Sequence, residues 1–385
     1  MSTVKFYPVG NGDTSLITLQ NGKHVLMDYR QHSNATETTK PEFDIASDIK
    51  KTLKDAEKES IEVLVFTHAD KDHIEGSTDF FHLEHAKKYQ EHGRIKVEQL
   101  WVPAAMLLES VDRDNLSSEF AIWRAEARHR LKNKMGIRVF SQPDELTKLV
   151  DSWDMNISDL SDFIVDAGTI VDTFSIEQDS VEFFVHSPFM KHCEEAGKDV
   201  KKVRNQASII FNIRFNEEGE VYDYLAIGDS EWEVLEDIVS ITQHYNNEDR
   251  LRWDLLNIPH HCSYLALSDD KGEKETQPKP KVEELLLMGN KDSYIICSSN
   301  SFDESTSIAL DSIQPPHLQA KRCYERYLAD VKGRSLIVTM ENESKSTPKP
   351  IIIEFTSSGI SKKSSQVTAA LATAAATPAR AGLIS

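Results

Sequence analysis

Short apolar segments separated by turn residues predict strands and helices along the first part of the chain. The turns between the first three predicted strands contain glycine and asparagine. The next strand is apolar over most of its length, so we expect it to be buried on both faces. In chain order, we predict strands over residues 4–9, 14–19, 24–29, 61–67 and 97–102, and helices over residues 42–58 and 78–91.

The second half of the chain repeats this pattern after a less regular segment, residues 104–180, which we predict to be a mostly helical insertion. Two successive halves, each with strands flanked by helices, predict an α/β protein built as a layered sandwich. A helix is predicted over residues 231–244, and strands are predicted over residues 181–185, 207–215, 222–227, 255–259, 294–297, 335–340 and 351–355.

The composition predicts where the domain ends and in which cellular compartment the protein lies. Residues 357–385 are rich in Ala, Ser and Thr and contain no aromatic residue, which predicts a low-complexity, disordered tail after one domain over residues 1–356. No apolar run approaches the ~20 residues that cross a bilayer, and the N-terminal residues lack a signal-peptide pattern. The four cysteines are scattered and are expected to be reduced thiols. We therefore expect a cytoplasmic protein without membrane contact.

The charge balance restricts how a nucleic acid could bind. The chain has 44 Lys and Arg residues against 63 Asp and Glu residues, and its formal net charge is −19. Such a protein gains no long-range attraction for a polyanion, which would have to rely on local basic residues. The candidate substrate-binding residues are Lys201, Lys202 and Arg204; a second basic run, residues 124–134, is more typical of a solvated helix face.

Polar side chains that bind metal ions follow several of the predicted strands. The densest group is His68, Asp70, Asp72 and His73, directly after an apolar strand. Carboxylates and imidazoles at strand ends converge from distant positions and can together ligate metal. Three weaker groups follow other strands, and each has an ordinary structural alternative: a helix N-cap, a turn cap or a surface histidine pair. These groups are Asp229, Asp28 and the pair His260 and His261.

The order of these motifs resembles the metallo-β-lactamase superfamily, and within it the soluble hydrolase domain of the ComEC DNA-uptake proteins. The resemblance covers most of residues 4–356, and it implies a four-layer αββα sandwich that carries the helical insertion. The matching pieces are residues 9–15, Asp28, residues 68–73 with Gly76, residues 187–188, 205–209, 228–231 and 259–263, and more weakly residues 315–317.

Read residue by residue, the resemblance implies two metal ions. His68 and Asp70 would bind the first ion, Asp72 and His73 the second, and Asp229 would bridge them. His260 would complete the second site, while His261 would orient a ligand or donate a proton; the sequence leaves open which of the two histidines binds. Asp72, His261 and Asn205 are the candidate catalytic residues, and four residues are expected to orient the ligands: Asp13, Asp28, Ser263 and His317.

Two departures from zinc-binding members affect the expected metal. Asp70 and Asn205 stand where zinc-binding members usually carry histidine, so oxygen ligands replace nitrogen ligands. Oxygen ligands favour Mn²⁺ or Mg²⁺ over Zn²⁺. We therefore expect two divalent ions, Mn²⁺ first and Zn²⁺ second. Cys262 stands where the family usually has glycine, and its side chain would narrow the pocket.

The resemblance implies a hydrolase in which a hydroxide bridging two metal ions attacks a phosphodiester of DNA or RNA. By analogy alone, the chain could be the effector of a multi-protein, defence-type system, with a protein partner bound through the insertion or the tail. Two other functions remain open. One is a hydrolase of a small ester, lactone, thioester or nucleotide, which the acidic charge favours. The other is a non-catalytic sensor or partner subunit that keeps the fold.

Overall fold

The computed structural model describes residues 1–35, 43–109, 118–196, 203–303 and 305–363. The strands in the described residues agree closely with the predicted ones and add several short ones. They are β1 Ser2–Phe6, β2 Ser15–Thr18, β3 His24–Met27, β4 Ser60–Val65, β5 Lys96–Pro103, β6 Ile137–Phe140, β7 Ile164–Val165, β8 Val181–Ser187, β9 Ile210–Glu217, β10 Glu220–Ala226, β11 Trp253–Asn257, β12 Gly289–Cys297, β13 Ser335–Val338, β14 Ile351–Thr356 and β15 Gly359–Lys362.

The α-helices lie mainly between parallel strands, with short 3₁₀ helices among them. The α-helices are α1 Ile45–Asp55, α2 Lys71–Ile74, α3 Ser77–Phe80, α4 Ala104–Leu108, α5 Ser118–Lys132, α6 Asp144–Asp151, α7 Ile176–Asp179, α8 Met190–Ala196, α9 Val203–Gln206, α10 Trp232–His244, α11 Pro280–Leu287, α12 Thr306–Asp311 and α13 Leu318–Asp330. The 3₁₀ helices are Lys87–Tyr89, Ile157–Phe163, Glu248–Leu251, Pro259–Cys262, Tyr264–Ala266 and Thr339–Glu341.

Two sheets form the centre of the molecule. One has nine strands in the order β15-β14-β1-β2-β3-β4-β5-β6-β7, and the other has six in the order β13-β12-β11-β10-β9-β8. β3 to β7 run parallel, as do β10 to β13. Because the C-terminal ends of neighbouring parallel strands lie at one edge of a sheet, the residues that follow them come close together.

Three apolar clusters separate four layers, which confirms the predicted αββα sandwich. The first lies between the nine-stranded sheet and helices such as α1 and α5, the second between the two sheets, and the third between the six-stranded sheet and helices α10, α11 and α13. β3 is buried at all its residues because it has a helical layer on one face and the other sheet on the opposite face. Helix α1 packs through Ile45, Ile49 and Leu53, which share one face.

The helix predicted over residues 78–91 is wrong. Helix α3 ends at Phe80, and only a 3₁₀ turn follows, at Lys87–Tyr89. Tertiary hydrogen bonds replace the helical ones: Ile95 donates its backbone N–H to Phe80 O, and His82 donates its own to Ile95 O. Phe80 and Phe81 are both buried, so packing into the first core decides the local conformation against helix propensity.

The predicted insertion and the predicted tail both contain strands of the nine-stranded sheet. Residues 104–180 contain α4, α5 and α6 as expected, but they also supply β6 and β7, so this segment extends the nine-stranded sheet; residues 110–117 lie outside the described residues. Within the tail predicted over residues 357–385, β15 pairs antiparallel with β14 and buries Ile360. Residues 364–385 lie outside the described part of the chain. None of the described helices is long and apolar enough to cross a membrane.

Candidate metal centre

The candidate metal centre lies where strand ends of the two sheets meet. β3 and β4 lead into Asp28 and the segment His68–His73, while β10 and β11 of the other sheet lead into Asp229 and His261. A backbone hydrogen bond joins the two sides, because Ile209 donates its N–H to Thr67 O at 2.9 Å. Asp229 does not cap the following helix, whose N-cap is Glu231, so its burial needs another explanation.

His73 is oriented by a buried carboxylate. Its Nδ1 lies 2.7 Å from Asp28 Oδ2. Thr67 holds the same carboxylate by donating its backbone N–H at 2.8 Å and its hydroxyl at 2.6 Å. A carboxylate accepts only, so His73 Nδ1 carries the proton and Nε2 faces Asp229 Oδ1 at 3.4 Å. This is the arrangement that carboxylates give to metal-binding histidines.

His261 reaches the same place through an unusual backbone. His260, His261 and Cys262 have φ values of 50°, 51° and 66°, a left-handed run that costs non-glycine residues free energy. His261 Nδ1 lies 3.0 Å from the carbonyl oxygen of Ser298, so it is the donor. His261 Nε2 is therefore directed at carboxylates, 3.0 Å from Asp72 Oδ2 and 3.3 Å from Asp229 Oδ2.

Four side chains form what we call the metal cluster: Asp13, His73, Asp229 and His261. One ligand atom from each lies within 4.8 Å of the others. Within the described residues, Asp13 Oδ2, His73 Nε2 and Asp229 Oδ1 are buried and have no hydrogen-bond partner. Buried polar atoms without partners are costly, and a cation surrounded by them removes that cost. Two imidazoles and two carboxylates suit a divalent transition metal, so the residues fit the ion that the resemblance implies.

The charges in the metal cluster also favour a cation. Burial lowers the pKa of His73 and of His261, but nearby carboxylates, first Asp229, outweigh burial and raise both pKa values well above the usual value. Burial raises the pKa of Asp229, yet the two histidines hold it well below its ordinary value. Protons on the two imidazoles thus balance the carboxylates. A divalent ion would replace these protons as the source of positive charge.

His68 and His260, both predicted ligands, differ in position. His68 packs against His73 with ring centroids 4.0 Å apart, and its Nε2 lies 3.9 Å from both Asp70 Oδ2 and Asp229 Oδ2. Burial, followed by His73, lowers the pKa of His68, so this imidazole is neutral. The ring centroid of His260 lies 6.2 Å from that of His261 at an interplanar angle of 85°, and His260 is not part of the metal cluster.

Asp70 contacts an arginine that was predicted to bind substrate. Arg204 Nη1 donates to Asp70 Oδ1 at 2.7 Å, and Arg204 Nε donates to both oxygens of Glu109 at 2.9 and 3.0 Å. Glu109 is buried, and the guanidinium stacks on Phe120 at 5.2 Å from the ring centroid. Burial lowers the pKa of Arg204, but these carboxylates outweigh it and raise the pKa. Arg204 is therefore fixed in place rather than free on the surface.

Three other predicted residues lie around this centre. The side-chain oxygen Oδ1 of Asn205 is buried and, among the described residues, has no hydrogen-bond partner. His317 supports the loop that carries His261. Its ring Nδ1 accepts the backbone N–H of Tyr264 at 3.3 Å, and its backbone N–H donates to Cys262 O at 3.0 Å. Ser263 Oγ accepts the Leu265 N–H at 3.3 Å and starts the next turn. Both residues position the loop without joining the metal cluster.

The structure gives less support to the other basic residues as substrate-binding candidates. Lys201 and Lys202 lie outside the described residues. In helix α5, Arg130 is buried and donates Nε to Glu126 at 2.7 Å, while Arg128 donates Nε to Leu107 O at 2.9 Å. These arginines hold helix α5 in place, so they do not form the solvated face that the sequence pattern indicates.

Sequence reasoning missed Glu109, Thr67 and Ser298. Ser298 follows the apolar end of β12, but it acts through its backbone carbonyl, so its residue type gives no signal. Thr67 precedes the His68 motif and was assigned only to the strand. Glu109 gives no signal, because its contact with Arg204 joins residues 95 positions apart.

No protein-family model matches the chain, and no curated protein matches it. Solved structures resemble it at low identity. CmlA, a diiron β-hydroxylase from Streptomyces venezuelae, is 14% identical over 87% of this chain and 52% of its own, with a TM-score of 0.41, so the chain spans about half of CmlA. Unliganded yeast PDE1 is 10% identical over 88% of this chain and 98% of its own, with a TM-score of 0.43. The class B3 di-zinc metallo-β-lactamase LRA-12 from an Alaskan soil metagenome is 12% identical over 85% and 91%, with a TM-score of 0.29. The sandwich assignment above rests on the sheets and core clusters of this chain itself.

Proposed function

We propose that this protein is a metal-dependent hydrolase that cleaves phosphodiester bonds of nucleic acid. One observation carries the metal dependence: His73 and His261 direct Nε2 toward Asp229, and buried polar atoms there have no hydrogen-bond partner among the described residues. The order of motifs, from the His68–His73 segment to Asp229 and His261, supports phosphodiester as the substrate class through its resemblance to ComEC hydrolase domains.

The residues of the chain divide the work of such a reaction. A bound divalent ion would supply Lewis-acid charge for the phosphoryl oxygen and for an attacking water. His73 and His261 would hold it through Nε2, with Asp229 and Asp13 as oxygen donors. Asp28 keeps the proton on His73 Nδ1, and the Ser298 carbonyl does the same for His261. These contacts leave Nε2 as the nitrogen that would bind the ion, which at His261 would replace the hydrogen bond to Asp72.

Asp72 is the residue positioned to move a proton. Its side chain is 32% exposed, and Oδ2 lies 3.0 Å from His261 Nε2. Burial raises its pKa, but the hydrogen bond from His261, with His73 nearby, outweighs burial and lowers the pKa. Asp72 is therefore a carboxylate at neutral pH, and it can accept a proton from an attacking water.

We propose Mn²⁺ as the preferred ion and Zn²⁺ as the second choice. The metal cluster combines carboxylates from Asp13 and Asp229 with two imidazoles, Asp72 lies 3.0 Å from one of them, and no described cysteine belongs to the cluster. Oxygen-rich donor sets suit Mn²⁺ better than sulfur-containing sets do. The metal content of protein purified without added metal tests this choice, and one equivalent of tightly bound zinc would contradict it.

The function is tested by incubating the protein with Mn²⁺ and single- or double-stranded DNA, RNA, a small phosphodiester or a carboxylic ester. We expect cleavage of at least one nucleic acid and its loss by at least about a hundredfold in Asp229→Asn and Asp72→Ala. Activity that survives both substitutions would contradict the metal-dependent mechanism. Hydrolysis of only a small substrate would favour a small-molecule hydrolase, a function that the net charge of −19 also favours. Metal binding without any turnover would favour a sensor subunit.

A further inference from the structure

We infer that the centre holds one divalent cation and that the Arg204 guanidinium supplies the positive charge that a second ion would supply. Asp70 is the residue that a two-ion centre needs for its first ion. Instead of facing open space, Asp70 Oδ1 accepts a hydrogen bond of 2.7 Å from Arg204 Nη1. The guanidinium of arginine stays protonated in proteins, so Arg204 cannot lose its positive charge by deprotonation to admit a cation beside Asp70.

Arg204 is held from its other side as well. Glu109 accepts from Nε with both carboxylate oxygens, and its own side chain is 2% exposed. Phe120 lies under the guanidinium plane. A bidentate arginine–carboxylate pair resists displacement better than a single contact does. Releasing Asp70 to a metal ion would therefore break its 2.7 Å contact with Arg204 and leave the fixed guanidinium charge beside the ion.

The donors near Asp70 are fewer and more widely spaced than those of the metal cluster. They are His68 Nε2, which lies 3.9 Å from Asp70 Oδ2, and the amide oxygen of Asn205, both buried and without a hydrogen-bond partner among the described residues. The metal cluster, in contrast, offers two imidazoles and two carboxylates within 4.8 Å of one another. A single ion would occupy the metal cluster, because the donors and the negative charge are concentrated there and Arg204 repels a cation beside Asp70.

Arg204 also keeps donors available for an anion. The contacts with Glu109 and Asp70 leave each terminal nitrogen with another N–H. The side chain is 16% exposed, so it is buried enough to be fixed and open enough to be reached. If the proposed phosphodiesterase function holds, these N–H groups would bind a phosphoryl oxygen beside the ion and stabilise the charge that develops there.

The ion count is tested first, with the metal-free protein and Mn²⁺ alone. Titration calorimetry and native mass spectrometry should give one Mn²⁺ per chain, and electron paramagnetic resonance should show an isolated ion without exchange coupling. Asp70→Asn should leave the count at one and the affinity within about threefold, whereas Asp229→Asn should remove binding. Two ions in the wild type, or a loss of one ion in Asp70→Asn, would overturn the inference, and so would the absence of any bound ion.

The charge role of Arg204 is tested with the substrate. Arg204→Gln should raise KM for the cleaved phosphodiester about tenfold or more while the Mn²⁺ affinity stays unchanged. Arg138→Gln is a matched control, because Arg138 is also 16% exposed and ion-paired, with Asp172, on β6. An unchanged KM in Arg204→Gln would overturn this role. The two proposals fail separately: one bound ion without phosphodiester cleavage refutes the function, and cleavage with two bound ions refutes the ion count.

Discussion

At the scale of single residues, the centre depends on which nitrogen each imidazole presents. His73 and His261 both donate Nδ1–H to an oxygen that can only accept, the carboxylate of Asp28 and the carbonyl of Ser298. Each ring is therefore fixed in orientation before any ion binds, and Nε2 is the nitrogen that would give up its proton to the ion. Preorganised ligands bind metal more tightly because little order is lost on binding.

Asp28→Asn should weaken Mn²⁺ binding by about 10- to 100-fold, because an amide no longer holds the His73 proton on Nδ1. Thr67 still donates to the remaining oxygen, so the fold should survive. Titration calorimetry measures the change. Asp254→Asn is the control, since Asp254 is also a buried carboxylate bonded to a backbone N–H, that of Asp223, and is not part of the metal cluster. Equal weakening in both variants would contradict the orienting role of Asp28.

Glu126→Gln should lower the free energy of unfolding by about 3 kcal/mol at pH 7, because it breaks a buried ion pair with Arg130. Burial raises the pKa of Glu126, but hydrogen bonds from His85 and Arg130 outweigh it and lower the pKa to about 2. The carboxylate stabilises the fold above its ordinary pKa of 4.5, and this stability is lost as pH falls toward 2.

The difference between wild type and Glu126→Gln should therefore shrink between pH 5 and pH 3 in denaturant unfolding with chelator present. Glu220→Gln, at an exposed position on β10, should show no such pH-dependent difference. A Glu126→Gln effect that stays constant with pH would show that shape, and not charge, accounts for the stabilisation.

At the scale of elements, periodicity predicted the strands well and one helix wrongly. β4 is predictable because a mostly apolar run suits a strand buried between two layers. The helix expected over residues 78–91 fails because Phe80 and Phe81 are buried and the backbone pairs with Ile95, a contact that no local pattern reveals. β15 was missed for a related reason: its sequence is polar, and only Ile360 enters the core between the sheets.

The histidine pair after β11 shows the same limit within the centre. Neighbouring residues His260 and His261 are chemically identical, and the left-handed backbone at residues 260–262 decides which of them enters the metal cluster. Histidine adopts positive φ more often than most non-glycine residues do, but this preference does not distinguish one histidine of the pair from the other. The pairing of Arg204 with Glu109 was equally out of reach, while the resemblance implied that Asp28 orients a ligand without indicating that this ligand is His73.

Ile360→Ala should lower the free energy of unfolding by about 2–4 kcal/mol, because the side chain is buried between the two sheets. Denaturant unfolding gives the value. Ile313→Ala is the matched control, since Ile313 is 88% exposed and should change stability by less than about 0.5 kcal/mol. Equal, small effects of both substitutions would mean that β15 adds nothing to the fold.

At the scale of the whole molecule, the sandwich brings the two halves of the chain together at one edge. Asp13, Asp28 and His73 come from the first half, and Asp229 and His261 from the second, so neither half has the centre alone. The surrounding chain is acidic, with a net charge of −19, which concentrates cations but repels nucleic acid. Binding a polyanion at this edge would thus depend on the bound ion and on Arg204.

The central claim is that the metal cluster binds the ion required for hydrolysis. Comparing alanine substitutions at His261 and at its neighbour His260 tests this claim most directly. Both residues have nearly the same backbone, with φ of 50° and 51°, so alanine at either position carries the same strain. In Mn²⁺-dependent cleavage of an oligonucleotide, we predict that His261→Ala loses at least about a hundredfold in rate, while His260→Ala stays within about threefold of the wild type. Loss of cleavage in His260→Ala with retention in His261→Ala, or full activity in both, would contradict the account.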